Sequence, residues 1–203
     1  NLIYAAAGRK ISALMVVHVQ GHMCDMTRLM HICSRYGLKL IEDAAEALGS
    51  TCEGKPAGTF GDIGCFSFNG NKIMSTGGGG MLIARSESVL KKARHLATTA
   101  KTDPMRYHHD DVGFNYRLVN VLAAIGVAQL EQLAGFVSAK RTIAGTYESS
   151  LRGVGDIRFQ KSQATVAPNH WLFTVQTARM EELLLFLNKN EVTSRPFWAP
   201  MNT

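Results

Sequence analysis

Between Ser12 and Asp43 the chain reads apolar run, amphipathic run, apolar run, and no other feature narrows the fold so far. "SALMVVHV" (Ser12 to Val19) is apolar with little alternation, the texture of a strand buried on both faces. Asp25 then precedes a stretch in which Leu29, Met30, Ile32, Cys33 and Tyr36 recur at three-to-four spacing, and Gly37 follows. An aspartate that can accept a backbone N–H at one end and a glycine free to take positive φ at the other predict a helix between them. "LKLIED" (Leu38 to Asp43) is a second strand. Strand, helix and strand this close together join by a right-handed crossover, so the strands lie parallel. Glu42 and Asp43 then arrive at the carboxyl end of the second strand, the edge at which open α/β sheets bind ligands.

Further along, "STCEGKPAGTFGDIG" is rich in glycine and holds Pro56, which predicts an exposed excursion before the sheet resumes. Cys65, Phe66 and Phe68 read as a buried strand and Met81 to Ala84 as another. Ser86 caps a helix carrying Val89, Leu90, Ala93 and Leu96, and a polar loop containing Pro104 comes next. Leu122, Ile125, Gln129, Leu130, Leu133 and Phe136 keep a helical spacing that predicts one long helix from about Val119 to Leu151. The tail, with "NHWLFTVQ", a helix around Glu181 to Asn190, and "VTSRPFW", reads as strand, helix, strand. The expected organisation is residues 1–135 as part of a large domain and 136–203 as a connecting helix with an incomplete, smaller C-terminal α/β domain.

Composition removes several classes of function. With 203 residues and 46% hydrophobic content the chain can bury a sizeable core. No apolar run approaches the roughly 18–20 residues that cross a bilayer. The first residues also lack a signal pattern, so a soluble, cytoplasmic protein is expected. Cys24, Cys33, Cys52 and Cys65 form no C-x-x-C pair, which indicates reduced thiols rather than a metal site or a disulfide framework. His18, His22, His108 and His109 lack a metal-ligand pattern too and are expected to serve loops and strand ends. The formal charge of +6 is spread along the chain without a basic, aromatic-interleaved stripe. Nucleic acid is therefore not an expected partner, while an anionic small molecule, or no particular ligand, accounts for the charge.

One lysine stands out against this background. In "GCFSFNGNKIMSTGGGGMLIA" (Gly64 to Ala84), Lys72 lies between an apolar strand and four glycines, Gly77 to Gly80. It is either a solvated charge on a turn or an amine held at a strand end. Asp43 ends a neighbouring strand, and Ser67 and the glycines offer a hydroxyl and unobstructed backbone N–H groups suited to phosphate. An amine nucleophile, an anion for a ring nitrogen and a phosphate cradle are what pyridoxal phosphate requires of a protein. Taken singly, Asp43 could equally cap a helix, Ser67 bond its own strand and Asn115 occupy a loop.

The segments "HVQGHMCDM", "YGLKLIEDAAEALGS", "GTFGDIGCFSFNGNKIMSTGGGGMLIA", "GFNYRLVNVLAAIGVAQLEQL" and "SRPFWAPM" together resemble, in order and over nearly the whole chain, the DegT/DnrJ/EryC1/StrS family of pyridoxal phosphate-dependent sugar aminotransferases. The resemblance implies the aspartate-aminotransferase-like α/β architecture, fold type I. That is a large domain with a mainly parallel sheet and helices on both faces, followed by the start of a small α/β C-terminal domain. It makes Lys72 the lysine that carries the cofactor and Asp43 the carboxylate that keeps the pyridine nitrogen protonated, the two catalytic residues. Glu46 falls beside the ring hydroxyl, and Ser67 matches the phosphate-binding serine. Asn115 matches an asparagine that reaches the phosphate in the neighbouring subunit, which implies a homodimer with shared sites and no metal.

"FSFNGNKIMSTGGGG", "LATTAKTDP" and "NHWLF" are most similar to the subgroup that aminates nucleotide-linked 4-keto-6-deoxy-N-acetylhexosamines of the bacillosamine and legionaminic acid pathways, with glutamate as donor. In that family an upstream phosphate loop and a ring-stacking aromatic precede the part matched here, and the small domain continues past Thr203, so the resemblance implies a longer enzyme. A regulatory or interaction protein on the same fold is the alternative of another class. Sugar dehydratases of the family carry histidine at the lysine position, and Lys72 argues against that activity. Arg195, before Pro196, either grips an anionic substrate group or faces solvent.

Overall fold

The computed structural model describes residues 3–4, 8–103 and 105–199. Pro104, assigned above to a loop, and the end of "SRPFWAPM" from Pro200 onward lie outside the described residues. Two compact units divide the chain, Asn1–Ala144 with Ser162–Phe173, and Gly145–Lys161 with Thr174–Thr203.

In the first unit the expected crossover forms. Strand β1 (Ala13–Val17) leads to helix α1 (Met26–Tyr36) and back to strand β2 (Lys39–Asp43), which pairs with β1 in parallel. The helix starts where Asp25 accepts the Arg28 N–H at 3.0 Å and stops where Gly37 turns left-handed at φ 65°. It turns Met26 and Cys33 into a core shared with Val16, Met23, Leu40, Ala44, Ala47 and Val166. Complete burial of a side chain such as Met26 is worth roughly 1.5–3 kcal/mol, enough to hold the helix on the sheet. Strand β3 (Ile63–Ser67) joins β2 in parallel and strand β4 (Gly80–Ala84) joins β3 antiparallel, giving the order β1-β2-β3-β4. The outer strands depart from the reading of fully buried runs. Met15 and Val17 lie exposed on one face of β1, and on β4 the successive Met81 and Leu82 are both exposed.

The segment from Thr51 to Asp62 is not the exposed excursion that its glycines and proline suggested. Thr51–Cys52 and Lys55–Pro56 form a hairpin, and Cys52, Ala57, Gly58 and Gly61 are buried. The reason is Glu42. The Phe60 and Gly61 N–H groups donate to its Oε1 at 2.6 Å each, and the Gly58 N–H donates to Oε2 at 2.9 Å, wrapping the segment around one buried carboxylate.

Helix α2 (Glu87–Ala97) follows Ser86, whose hydroxyl pairs with Ser88 and makes no cap bond. The single long helix predicted beyond Val119 is two, α3 (Asn120–Glu131) and α4 (Leu133–Leu151), bent by 60°. At the break the Gln132 N–H bonds to Gln129 three residues back and its side-chain amide to the Ala128 carbonyl, a local change that leaves the apolar spacing undisturbed. Among the described residues no single helix is long and apolar enough to cross a membrane.

In the second unit Arg158–Phe159 pairs antiparallel with Val175–Gln176, and helix α5 (Met180–Lys189) follows. "VTSRPFW" does not form the closing strand. The Asn188 amide bonds to the Ser194 carbonyl and hydroxyl, and Pro196 has no N–H to give a ladder.

Candidate functional site

Strands β1, β2 and β3 are parallel, so their carboxyl ends share one edge, and β4 begins there. The register sets Val17 beside Asp43, Asp43 beside Cys65, and Ser67 beside Gly80. His18, Asp43, Ser67 and the glycine run are thereby delivered to one line. Asp43 Oδ1 accepts the Ala45 N–H at 3.0 Å, and its carbonyl accepts the His18 N–H at 3.1 Å. Ser67 Oγ accepts the Asn69 N–H at 3.3 Å.

Beyond Ser67 the chain makes a loop tied at both ends. The Phe68 N–H donates to Gly79 and the Thr76 N–H donates to Phe68, while Phe68 and Met74 are buried on either side of the lysine. Lys72, at the turn, is not a solvated charge: its side chain is 14% exposed. Its Nζ lies 3.8 Å from Glu46 Oε1 and 4.0 Å from the centroid of the Trp171 ring, so the amine rests between a carboxylate and an aromatic face.

Glu46 is itself held. Its Oε2 accepts the backbone N–H of Gln20 at 2.7 Å, from a residue whose φ of 58° is uncommon outside glycine. Gly21 follows at φ 86°, and a Cβ there would stand 1.8 Å from Asn169 Oδ1, so only glycine allows the approach. Asn169, fully buried, donates from Nδ2 to the carbonyls of Glu46 and Leu48 at 2.8 and 2.9 Å. Its Oδ1 accepts the Trp171 N–H at 2.8 Å, and the Trp171 indole N–H reaches the Asn71 carbonyl at 2.6 Å. Gln20, Asn169 and Trp171 were not singled out from sequence. The segments that contain them, "HVQGHMCDM" and "NHWLF", carried the resemblance, but no rule of spacing assigns them to a lysine far away in the chain.

Beneath the edge lies a fully buried pair, His18 Nε2 to Glu42 Oε2 at 3.1 Å. Burial alone would push the Glu42 carboxyl up, but the His18 N–H and the Gly61 and Gly58 amides outweigh it and hold the group below the ordinary range. The Cys24 N–H donates to His18 Nδ1, which leaves Nε2 to donate to Glu42. The cysteines carry no disulfide. Among the described residues no group of histidine, cysteine and acidic side chains is arranged to hold a metal.

His22 bonds to Ser162 Oγ at 2.6 Å and meets the His170 ring edge-on at 5.4 Å. Burial, then the neighbouring His170 charge, push its pKa down from 6.5 to about 4. A base with a lowered native value binds more protons when unfolded. Its contribution is therefore complete above about pH 6.5 and is lost as the pH falls towards 4. Replacing His22 by Asn should flatten the acid limb of stability in that window, as read by urea midpoints at stepped pH. An unchanged slope would show that the proton is taken up elsewhere.

Asn115 is exposed, bridges to Thr98 through its backbone, and makes no hydrogen bond to Lys72, Asp43, Glu46 or Ser67 among those described. Arg195 is exposed in the second unit. The residues that do converge fit pyridoxal phosphate. A half-buried amine sits beside a carboxylate, Asp43 keeps an oxygen for a ring N–H, and Gly77 and Gly78 leave open space where a Cβ would stand. The buried Gln20 Oε1 has no hydrogen-bond partner, an acceptor in reserve next to Glu46.

A mixed sheet with a lysine and an aspartate at the carboxyl edge is the architecture of the fold type I pyridoxal phosphate-dependent transferases. Solved structures place the chain there. The DesV protein of S. venezuelae, determined with a ketimine intermediate, matches with a TM-score of 0.82 and 31% identity over 88% of this chain and 48% of its own. The chain belongs to the DegT/DnrJ/EryC1/StrS aminotransferase family, whose profile matches residues 1–203, and pyridoxal phosphate is that family's cofactor. Among curated relatives it is 40% identical to EpsN of Bacillus subtilis (strain 168), named for a pyridoxal phosphate-dependent aminotransferase, over 94% of this chain and 50% of EpsN. It is also 40% identical to a GDP-perosamine synthase of Vibrio cholerae, over 96% of this chain and 54% of the synthase. The chain spans about half the length of the curated relatives it matches.

Proposed function

We propose that the full-length protein transfers an amino group, from glutamate by way of pyridoxal phosphate, to a nucleotide-linked 4-keto-6-deoxy-N-acetylhexosamine destined for surface glycans. The observation that carries this reading is the Lys72 amine beside Glu46, at the edge that also bears Asp43 and Ser67, in a chain of the aminotransferase family. The bound cofactor supplies a protonated pyridine ring that withdraws electrons from the carbon losing its proton. The chain's own residues do the rest. Lys72 would hold the cofactor through its amine and, as a free amine, would move the proton at the reacting carbon. Asp43 would hold the proton on the ring nitrogen through its carboxylate, a fixed charge that need not reorganise during the reaction. Ser67 and the glycine amides would hold the phosphate, and Glu46 would serve the ring hydroxyl.

Asn115 is assigned to the partner's cofactor phosphate, so two copies make two shared sites, in the cytoplasm where nucleotide sugars are made. That assignment agrees with an Asn115 that is exposed and, among the described residues, makes no hydrogen bond to Lys72.

The test is amino transfer by the full-length protein to a panel of 4-keto and 3-keto nucleotide sugars, read by product mass, alongside Asp43→Asn. The variant should retain cofactor yet turn over about 10²–10³-fold more slowly. A protein that takes up pyridoxal phosphate but aminates none of the panel would overturn the substrate class. Transfer to 3-keto sugars alone would overturn the position on the ring.

A further inference from the structure

We propose that Trp171 is a positioning residue for Lys72: its ring face carries the amine while its indole N–H fixes the carbonyl next door, so that one side chain sets the direction in which the amine points. The inference rests on Lys72 being the reacting amine. A lysine on a turn has a flexible four-carbon stem and many rotamers, and a turn by itself selects none of them. Here the amine has two close neighbours. Glu46 Oε1 stands 3.8 Å away, and the Trp171 centroid stands 4.0 Å away. The same indole donates to the Asn71 carbonyl at 2.6 Å, so the backbone before Lys72 is tied to the surface on which its side chain rests.

Trp171 in turn has no freedom to drift, being 3% exposed with its N–H on Asn169 Oδ1 at 2.8 Å. Asn169 reaches from there to the Glu46 carbonyl at 2.8 Å. Asn169 thus ties the Trp171 backbone to the Glu46 backbone, and the amine lies close to both the ring and the Glu46 carboxylate. A tryptophan that only filled the core would not need its face under a cation or its N–H on the lysine's own loop. Losing the cation–π contact in a largely desolvated place corresponds to about tenfold in the population of the held side-chain position.

The experiment uses the full-length, cofactor-stripped protein and potassium cyanate, which carbamoylates amines, with each lysine followed by peptide mass spectrometry. Trp171→Leu should carbamoylate at Lys72 about tenfold faster than wild type, with the other lysines unchanged as internal references. Trp171→Phe keeps a ring face and should stay within about threefold of wild type. Equal Lys72 rates in all three proteins would overturn the proposal. Should Trp171→Leu not fold, the same contact is read from the other partner. In a full-length background in which every tryptophan except Trp171, Trp198 included, is replaced by phenylalanine, Lys72→Met should alter the emission. An identical spectrum would overturn the proposal. Treating wild type with pyridoxal phosphate and borohydride is a separate arm: no adduct at Lys72 there would remove the cofactor reading, while the cyanate comparison would still decide the role of Trp171.

Discussion

Lys72→Ala in the full-length protein is expected to leave no cofactor that borohydride can fix and to lower turnover by about 10⁴-fold. Two functions disappear with the one amine, the bond to the cofactor and the transfer of the proton. Glu46, which stands 3.8 Å from the amine, cannot take them over, because it is an acid already engaged with the Gln20 N–H. Stability should change little, since a side chain at the edge contributes little of the core. Mass spectrometry after reduction checks the first part and amino transfer the second; a retained covalent adduct would move the assignment to another lysine. The same variant tests the shared site. Mixed with Asn115→Ala, it should recover one working site per heterodimer, made of Lys72 from one chain and Asn115 from the other. Heterodimers without activity would show that Asn115 serves no partner.

Glu42→Gln is expected to destabilise the fold by about 3–5 kcal/mol. The carboxylate accepts four hydrogen bonds, from the Gly58, Phe60 and Gly61 amides and from His18 Nε2. An amide side chain keeps one acceptor oxygen and turns an NH₂ towards at least two donors in a place with no water to accept from them. A His18 rotated to accept would turn its other N–H against the Cys24 N–H, so the conflict cannot be passed along. In wild type the contribution of Glu42 is present above the unfolded carboxyl range and is lost as the pH falls through its lowered native value, so the variant should also lose acid sensitivity. Urea unfolding at neutral pH measures the first effect. A change below about 1 kcal/mol, the worth of an exposed pair, would mean that the Thr51–Asp62 segment is not held by Glu42.

What could be read directly from residues is what local rules control. Asp25 and Gly37 announce the ends of α1 because capping is decided within four residues, and two apolar runs about a short helix leave one chirality and one sheet edge. Lys72, Asp43 and Ser67 follow from that edge, since each lies within a few residues of a strand end. Local signals also misled. Glycine and proline spelled an exposed loop at Thr51–Asp62, although the same glycines supply the small, close-packed amides that a buried carboxylate needs. The apolar period ran unbroken through Gln132, where the backbone bends.

Only the tertiary structure decided how the lysine is held. Trp171 and Asn71 are 100 positions apart and Asn169 and Glu46 are 123 apart, and the contact of an indole with an amine leaves no periodic trace at such separations. Spacing along the chain determines elements and the edge at which they end. Which side chains then meet across that edge is determined by packing, because a buried donor or acceptor must find its partner wherever the folded chain brings one.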